Sequence, residues 1–150
     1  QLQPLIEMDG IKHPELRMAL GFDRKPSKWG DYWVRGIADL VVLNGDTAFI
    51  VDYKTGSSKY PDPKQLQLMA LMVFSHYPEI VHIKAGLLFV MHEQFVSSES
   101  HREDEEKLWG DFYPHLERLR LSYENGVWQE NPTPLCGWCP VKRCQFHKER

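Results

Sequence analysis

The sequence has no long apolar run, no excess of positive charge and very little cysteine, and each shortage removes a class of function. Its longest apolar stretch, Leu68 to Phe74, is far below the roughly 18 residues that span a bilayer, and no basic-then-apolar leader opens the chain. A soluble, intracellular protein without membrane partners is expected. Lys+Arg 18 against Asp+Glu 21 give a formal net charge of -3, so no bulk positive field draws the chain to nucleic acid and any such contact must be local. The three cysteines are an odd number and all lie between Cys136 and Cys144. That argues for metal ligation or free thiols rather than a secreted disulfide framework, and a reducing compartment is expected. Repeats and low-complexity segments are absent too. What remains is 150 residues, 42% of them hydrophobic, enough to bury roughly 70% of the unfolded surface around one core. Because the sequence begins with Gln1 and not Met, a trimmed or processed piece is expected.

Periodicity sets the order of elements. Leu16, Met18, Leu20 and Phe22 alternate, predicting a strand over 15–22, which the turn-rich run Asp23 to Asp31 ends. Tyr32 to Leu43 and Thr47 to Thr55 are rich in β-branched and aromatic residues and are joined by Asn44-Gly45-Asp46, predicting a hairpin. After Pro61 and Pro63, Leu66, Met69, Ala70, Val73 and Tyr77 recur at helical spacing until Pro78. That helix is apolar on most sides and should be buried. Ile80 to Met91 reads as a central strand, and Arg102 to Tyr123 as a helix with a Trp109, Phe112, Leu116, Leu119, Tyr123 stripe, kinked at Pro114. Val127 and Trp128 predict a brief last strand. The sum is an α/β fold: a core over 1–130, with its first helix expected upstream, and a cysteine-rich tail over 131–150.

The hairpin carries the chemistry. Asp52 and Lys54 are two apart on one strand and leave the same face. With a two-residue loop, either available register puts Asp39 of the partner strand on that face as well. Two carboxylates at cross-strand distance repel unless something neutralises them, and a hard divalent cation, Mg²⁺ or Mn²⁺, is the natural neutraliser. Metal-assisted phosphodiester hydrolysis follows, with Lys54 orienting water or stabilising the transition state. The bland alternative is a solvated strand edge with Asp39 capping a turn. Arg24, Lys25, Lys28, Lys59 and Lys64 flank the hairpin, either as the local positive rim a DNA backbone needs or as a charged solvated loop.

Arg35-Gly36-Ile37-Ala38-Asp39, then Val51-Asp52-Tyr53-Lys54-Thr55-Gly56, then Gln65-Leu66 together resemble the PD-(D/E)xK nucleases of the RecB-like type, which include phage exonucleases and CRISPR-adaptation nucleases. The resemblance implies a restriction-endonuclease-like mixed β-sheet flanked by helices. It implies Asp39 and Asp52 as metal ligands, the Tyr53 carbonyl as a further ligand, Lys54 as the catalytic lysine and Gln65 near the scissile phosphate or water. It implies a cytoplasmic Mg²⁺- or Mn²⁺-dependent DNA exonuclease of a bacterium or phage, acting on ends or single strands in replication, recombination or repair, with a helicase or recombination partner. Two departures stand out. The family's metal-binding His is expected upstream of Gln1, because His13 lies too close to the first strand. Met69 stands where the family often has Tyr. Glu15 either lines the site from the first strand or is an ordinary strand-end carboxylate.

Cys136-x2-Cys139-x4-Cys144-x2-His147 has spacing suited to a tetrahedral ion. The resemblance implies an iron-sulfur cluster completed by a distant fourth Cys, while His147 completes a Zn²⁺ site in the rival reading. Two other functions share these residues. One is a catalytically inactive nuclease-like module that binds DNA. The other is a zinc deaminase, suggested by His115-Leu116-Glu117 and the later cysteines but opposed by Leu135, which splits the needed Pro-Cys pair.

Overall fold

Five strands and two helices account for most of the described residues. The computed structural model describes residues 7–56, 62–92 and 94–147. In chain order they form β1 (Ile11–Leu20), β2 (Val34–Asn44), β3 (Thr47–Lys54), α1 (Pro63–His76), β4 (His82–Phe89), β5 (Gln94–His101) and α2 (Glu105–Asn125). The sheet runs β1-β2-β3-β4-β5. Neighbours are antiparallel except β3 and β4, which are parallel because α1 carries the chain across between them.

The hairpin forms as its turn residues dictate. Asn44 pairs with Thr47, leaving Gly45 and Asp46 as a two-residue loop, and Gly45 supplies the positive φ of 61° that such a turn needs. Helix α1 starts where Asp62 accepts from the Lys64 N–H at 3.0 Å and Pro63 fills the first turn. Seven of its side chains, from Leu66 to Phe74, are buried, as its all-round apolarity predicts. They share the core with Met18, Leu20, Val41, Ile50, Ile83 and Leu87. Pro61 and Lys59 lie outside the described residues.

Four expectations need correction. The sequence predicts no strand over 94–101, yet β5 is there; its Gln-Phe-Val-Ser-Ser-Glu-Ser-His run is polar because an edge strand packs little. The expected strand at Val127 and Trp128 does not form; Trp128 instead meets Tyr123 edge-on at 5.1 Å. On α2 only Trp109 is buried, and the outer part of its stripe, Tyr123, is 73% exposed. Phe22 lies beyond the end of β1 and packs on Trp33 at 5.6 Å. The chain divides into two compact units, Gln1–Asp111 and Phe112–Arg150. The sheet and α1 belong to the first, and the loop and tail after α2 to the second.

Arg102 secures the end of α1. It begins a 3-10 turn, Arg102–Asp104, and its guanidinium donates to the carbonyls of Ile80 at 2.7 Å, Phe74 at 3.1 Å and Tyr77 at 2.9 Å. It also lies over the Phe74 ring, 4.9 Å from the centroid. A cation at a helix C-terminus satisfies carbonyls that the helix itself cannot. Arg102→Ala is expected to lower stability by about 2–3 kcal/mol, since three acceptors lose a charged donor. Arg102→Lys should recover only a fraction, because an ammonium lacks the fork geometry. The urea midpoints of the two variants check this.

Candidate active site

Strand β3 runs apolar into charge: Ile50 and Val51 are buried, and the next residue, Asp52, is buried as well, at 6% exposure. A carboxylate there is costly to bury without partners. It has two. Lys54, two residues on, brings Nζ to 2.5 Å from Asp52 Oδ2. Gln65, in the first turns of α1, donates from Nε2 to Asp52 Oδ1 at 2.8 Å and accepts from Lys54 Nζ through Oε1 at 2.9 Å. The three side chains close a ring. The Lys54 approach to Oδ2 is a charge contact without hydrogen-bond geometry, so that buried oxygen has no hydrogen-bond donor.

Asp39 joins from β2. The ladder ends at Leu40 opposite Val51, which puts Asp39 beside Asp52 in register. Its Oδ2 accepts from the Tyr53 backbone N–H at 2.7 Å, so the carboxylate reaches across to the segment between Asp52 and Lys54. Tyr53 itself is half exposed, at 37%. On the other side of β2 the pairing with β1 skips one position, between Pro14 opposite Leu40 and Leu16 opposite Ala38. Glu15 fills that gap at φ 48°, a strained conformation for a non-glycine residue, next to Asp39. Glu15 is exposed. Gly36 explains the small residue of the Gly-x-x-Asp pattern: a Cβ there would stand 2.9 Å from Met69 Cε and 3.4 Å from Met72 Sδ. Met69 therefore packs on β2. His13 lies within β1, its ring 6.1 Å from that of Tyr77.

The oxygens suit a hard divalent cation. Two carboxylates on neighbouring strands, one with a buried oxygen lacking a donor, are what Mg²⁺ or Mn²⁺ prefers over softer donors.

The remaining candidates are placed differently. Arg24 is ion-paired with Glu106 at 2.8 Å and lies over Trp109, so it is committed to the fold. Lys25 and Lys28 are exposed. Arg35, at the start of the Gly-x-x-Asp segment, stands 4.2 Å from the Tyr32 ring and 4.8 Å from the Trp29 ring, with Arg17 5.5 Å from Trp29. The sequence reading missed this cation-aromatic set. In the tail, Cys136, Cys139 and Cys144 are free thiols on and after the 3-10 turn Pro134–Trp138. Cys136 Sγ accepts from the Thr133 N–H at 3.3 Å, and His147 Nδ1 lies 3.2 Å from the Cys136 carbonyl. No three of these four residues bring ligand atoms within 4.8 Å of one another. Glu117 pairs with Arg120 at 2.6 Å and His115 with Arg118 at 2.8 Å, so neither is arranged with the cysteines as a deaminase requires.

The family model of the PD-(D/E)XK nuclease superfamily matches residues 6–145. The mixed five-stranded sheet is the restriction-endonuclease-like α/β fold. A solved structure titled "Crystal structure of SSO0001" is similar at a TM-score of 0.45 and 15% identity, covering 95% of this chain and 67% of that one. The sequence matches no curated protein.

Lys54→Met strands a buried carboxylate. The variant is expected to lose about 2–4 kcal/mol, below the full cost of breaking a wholly buried pair because Lys54 is itself partly exposed. Asp52→Asn in the same chain should restore most of the loss, since the charge is gone. Urea unfolding of both single variants and the double variant closes the cycle.

Proposed function

This chain belongs to the PD-(D/E)XK nuclease superfamily, and we propose that it is a Mg²⁺- or Mn²⁺-dependent deoxyribonuclease of the RecB-like type, working as an exonuclease on DNA ends or single strands. The carrying observation is the ring of Asp52, Lys54 and Gln65, with one Asp52 oxygen buried and without a donor. Asp39, Asp52 and the Tyr53 carbonyl would hold the cation. When bound, it lowers the pKa of water and offsets charge on the phosphoryl oxygens.

The chain's own residues do the positioning. Gln65 accepts from Lys54 and donates to Asp52, which holds the Lys54 ammonium beside the Asp52 carboxylate; there it would orient an attacking water or offset charge on a phosphoryl oxygen. Asp39 is held against β3 by the Tyr53 N–H, which fixes the distance between the two carboxylates. Arg35, Arg17, Trp29 and Tyr32 offer charge for phosphates and rings for base stacking, which suits unpaired strands. Cys136, Cys139 and Cys144 would hold an iron-sulfur cluster or Zn²⁺ that orders the tail over 131–150, and the catalytic residues belong to the core over 1–130. A cytoplasmic role in recombination or repair beside a helicase is the fitting context.

The test is degradation of end-labelled linear DNA and of closed circular DNA in Mg²⁺ or Mn²⁺. Linear DNA should be shortened from its ends and circles spared. Lys54→Ala should lower the rate on the order of 100-fold or more, and Asp52→Asn should lose divalent binding while keeping DNA affinity. Equal rates in wild type and Lys54→Ala would remove Lys54 from the mechanism. DNA binding with no divalent binding at the carboxylates would support the inactive module instead.

A further inference from the structure

We propose that His82, Glu99 and His101 form a second cation site, for a borderline divalent ion such as Zn²⁺, on the face of the sheet away from Asp52. The β4–β5 register places His82 directly opposite His101, and Glu99, two residues before His101, leaves the same face. The two imidazoles stack with centroids 4.5 Å apart and planes within 3°. His82 Nε2 lies 3.1 Å from Glu99 Oε2, and each residue offers a ligand atom within 4.8 Å of the other two. A tetrahedral ion with bonds of about 2.0–2.1 Å separates its ligand atoms by about 3.3 Å. The ligand atoms, now within 4.8 Å of one another, would close to that separation once the two imidazoles turn out of their stack so that both lone pairs face one ion.

The donor set selects the ion. Two neutral imidazoles and one carboxylate suit Zn²⁺ and its neighbours, with a coordination position left open, whereas Mg²⁺ takes oxygen ligands. The backbone under the site is held: Val81 and His82 N–H groups donate to the Asp46 carbonyl at 2.8 and 3.2 Å, and the Arg102 N–H donates to the Val81 carbonyl at 2.9 Å. Lys84, opposite Glu99 on the same face, is the nearest competing charge in the register. The site is independent of the proposed nuclease chemistry. Asp52 pairs with Leu87, five residues along β4 from His82, which is about 16 Å along the strand and on the opposite face. The ion would tie β5, the edge strand, to β4.

The full-length chain, with Cys136, Cys139 and Cys144 each replaced by Ser and with excess Mg²⁺ present, is titrated with Zn²⁺ and with Co²⁺. One equivalent should bind, with the His82 and His101 imidazole resonances shifting together. His101→Ala and His82→Ala should each weaken binding by about tenfold or more, and Glu99→Gln by less. Circular dichroism of the metal-free variants separates lost binding from lost folding; His101 is exposed and tolerates truncation. Unshifted imidazole resonances, or equal affinity in both folded His variants, would overturn the site. Neither result bears on DNA cleavage, so the nuclease reading stands or falls separately.

Discussion

A carboxylate at the buried end of an apolar strand is the constraint around which this fold is arranged. A carboxylate at 6% exposure is costly to bury without a cation and a donor beside it, and Asp52 has both. Strand geometry supplies the first, since Lys54 leaves the same face two residues later. The second requires a helix N-terminal turn delivered over the end of β3, which the β3-α1-β4 crossover achieves by bringing Gln65 within 2.8 Å. The parallel pairing of β3 with β4 is thus part of the site as well as of the sheet. Asp39 completes the arrangement because its hairpin turn fixes the register, and a slip of one residue would send it to the other face.

Those features were legible because each follows from a local rule. The hairpin comes from Asn44-Gly45-Asp46, which leaves two registers open, both with Asp39 on the face of Asp52; the pairing of Asn44 with Thr47 selects the Gly45-Asp46 loop. The buried helix comes from its apolar periodicity between Pro63 and Pro78; the cap at Asp62 is what the structure adds. Met69 is the instructive case: read both as part of the apolar helical spacing and as a departure from a family pattern, it proves to fill the space that Gly36 leaves on β2.

The rest was not legible because it depends on contacts between elements far apart in sequence. Arg102 looks like one more charge before an acidic run, yet its partners are carbonyls 22 to 28 residues earlier. Strand β5 is polar because it has a neighbour on one side only, so it lacks the continuous apolar run that reveals a central strand such as β4. His82 and His101 are 19 apart in sequence, and only the antiparallel turn between β4 and β5 makes them neighbours. The tail shows the converse. Its cysteines are close in sequence, but proximity along the chain is not convergence of sulfur atoms, and no three of the four candidate ligands meet within 4.8 Å.

The two ion chemistries suggested here would coexist without interfering. Affinity alone would not separate them, because Zn²⁺ binds most oxygen and nitrogen sites more tightly than Mg²⁺ or Mn²⁺ does. Donor type and placement do. The Asp39 and Asp52 oxygens offer no imidazole among the described residues, while the His82–Glu99–His101 group offers two. A borderline ion arriving at the sheet therefore finds its better ligands on the outer face, about five strand residues from the carboxylates. On the proposed reading the carboxylates would be left to a hard ion suited to phosphodiester chemistry, so an edge-strand staple would also protect the cation preference of that centre.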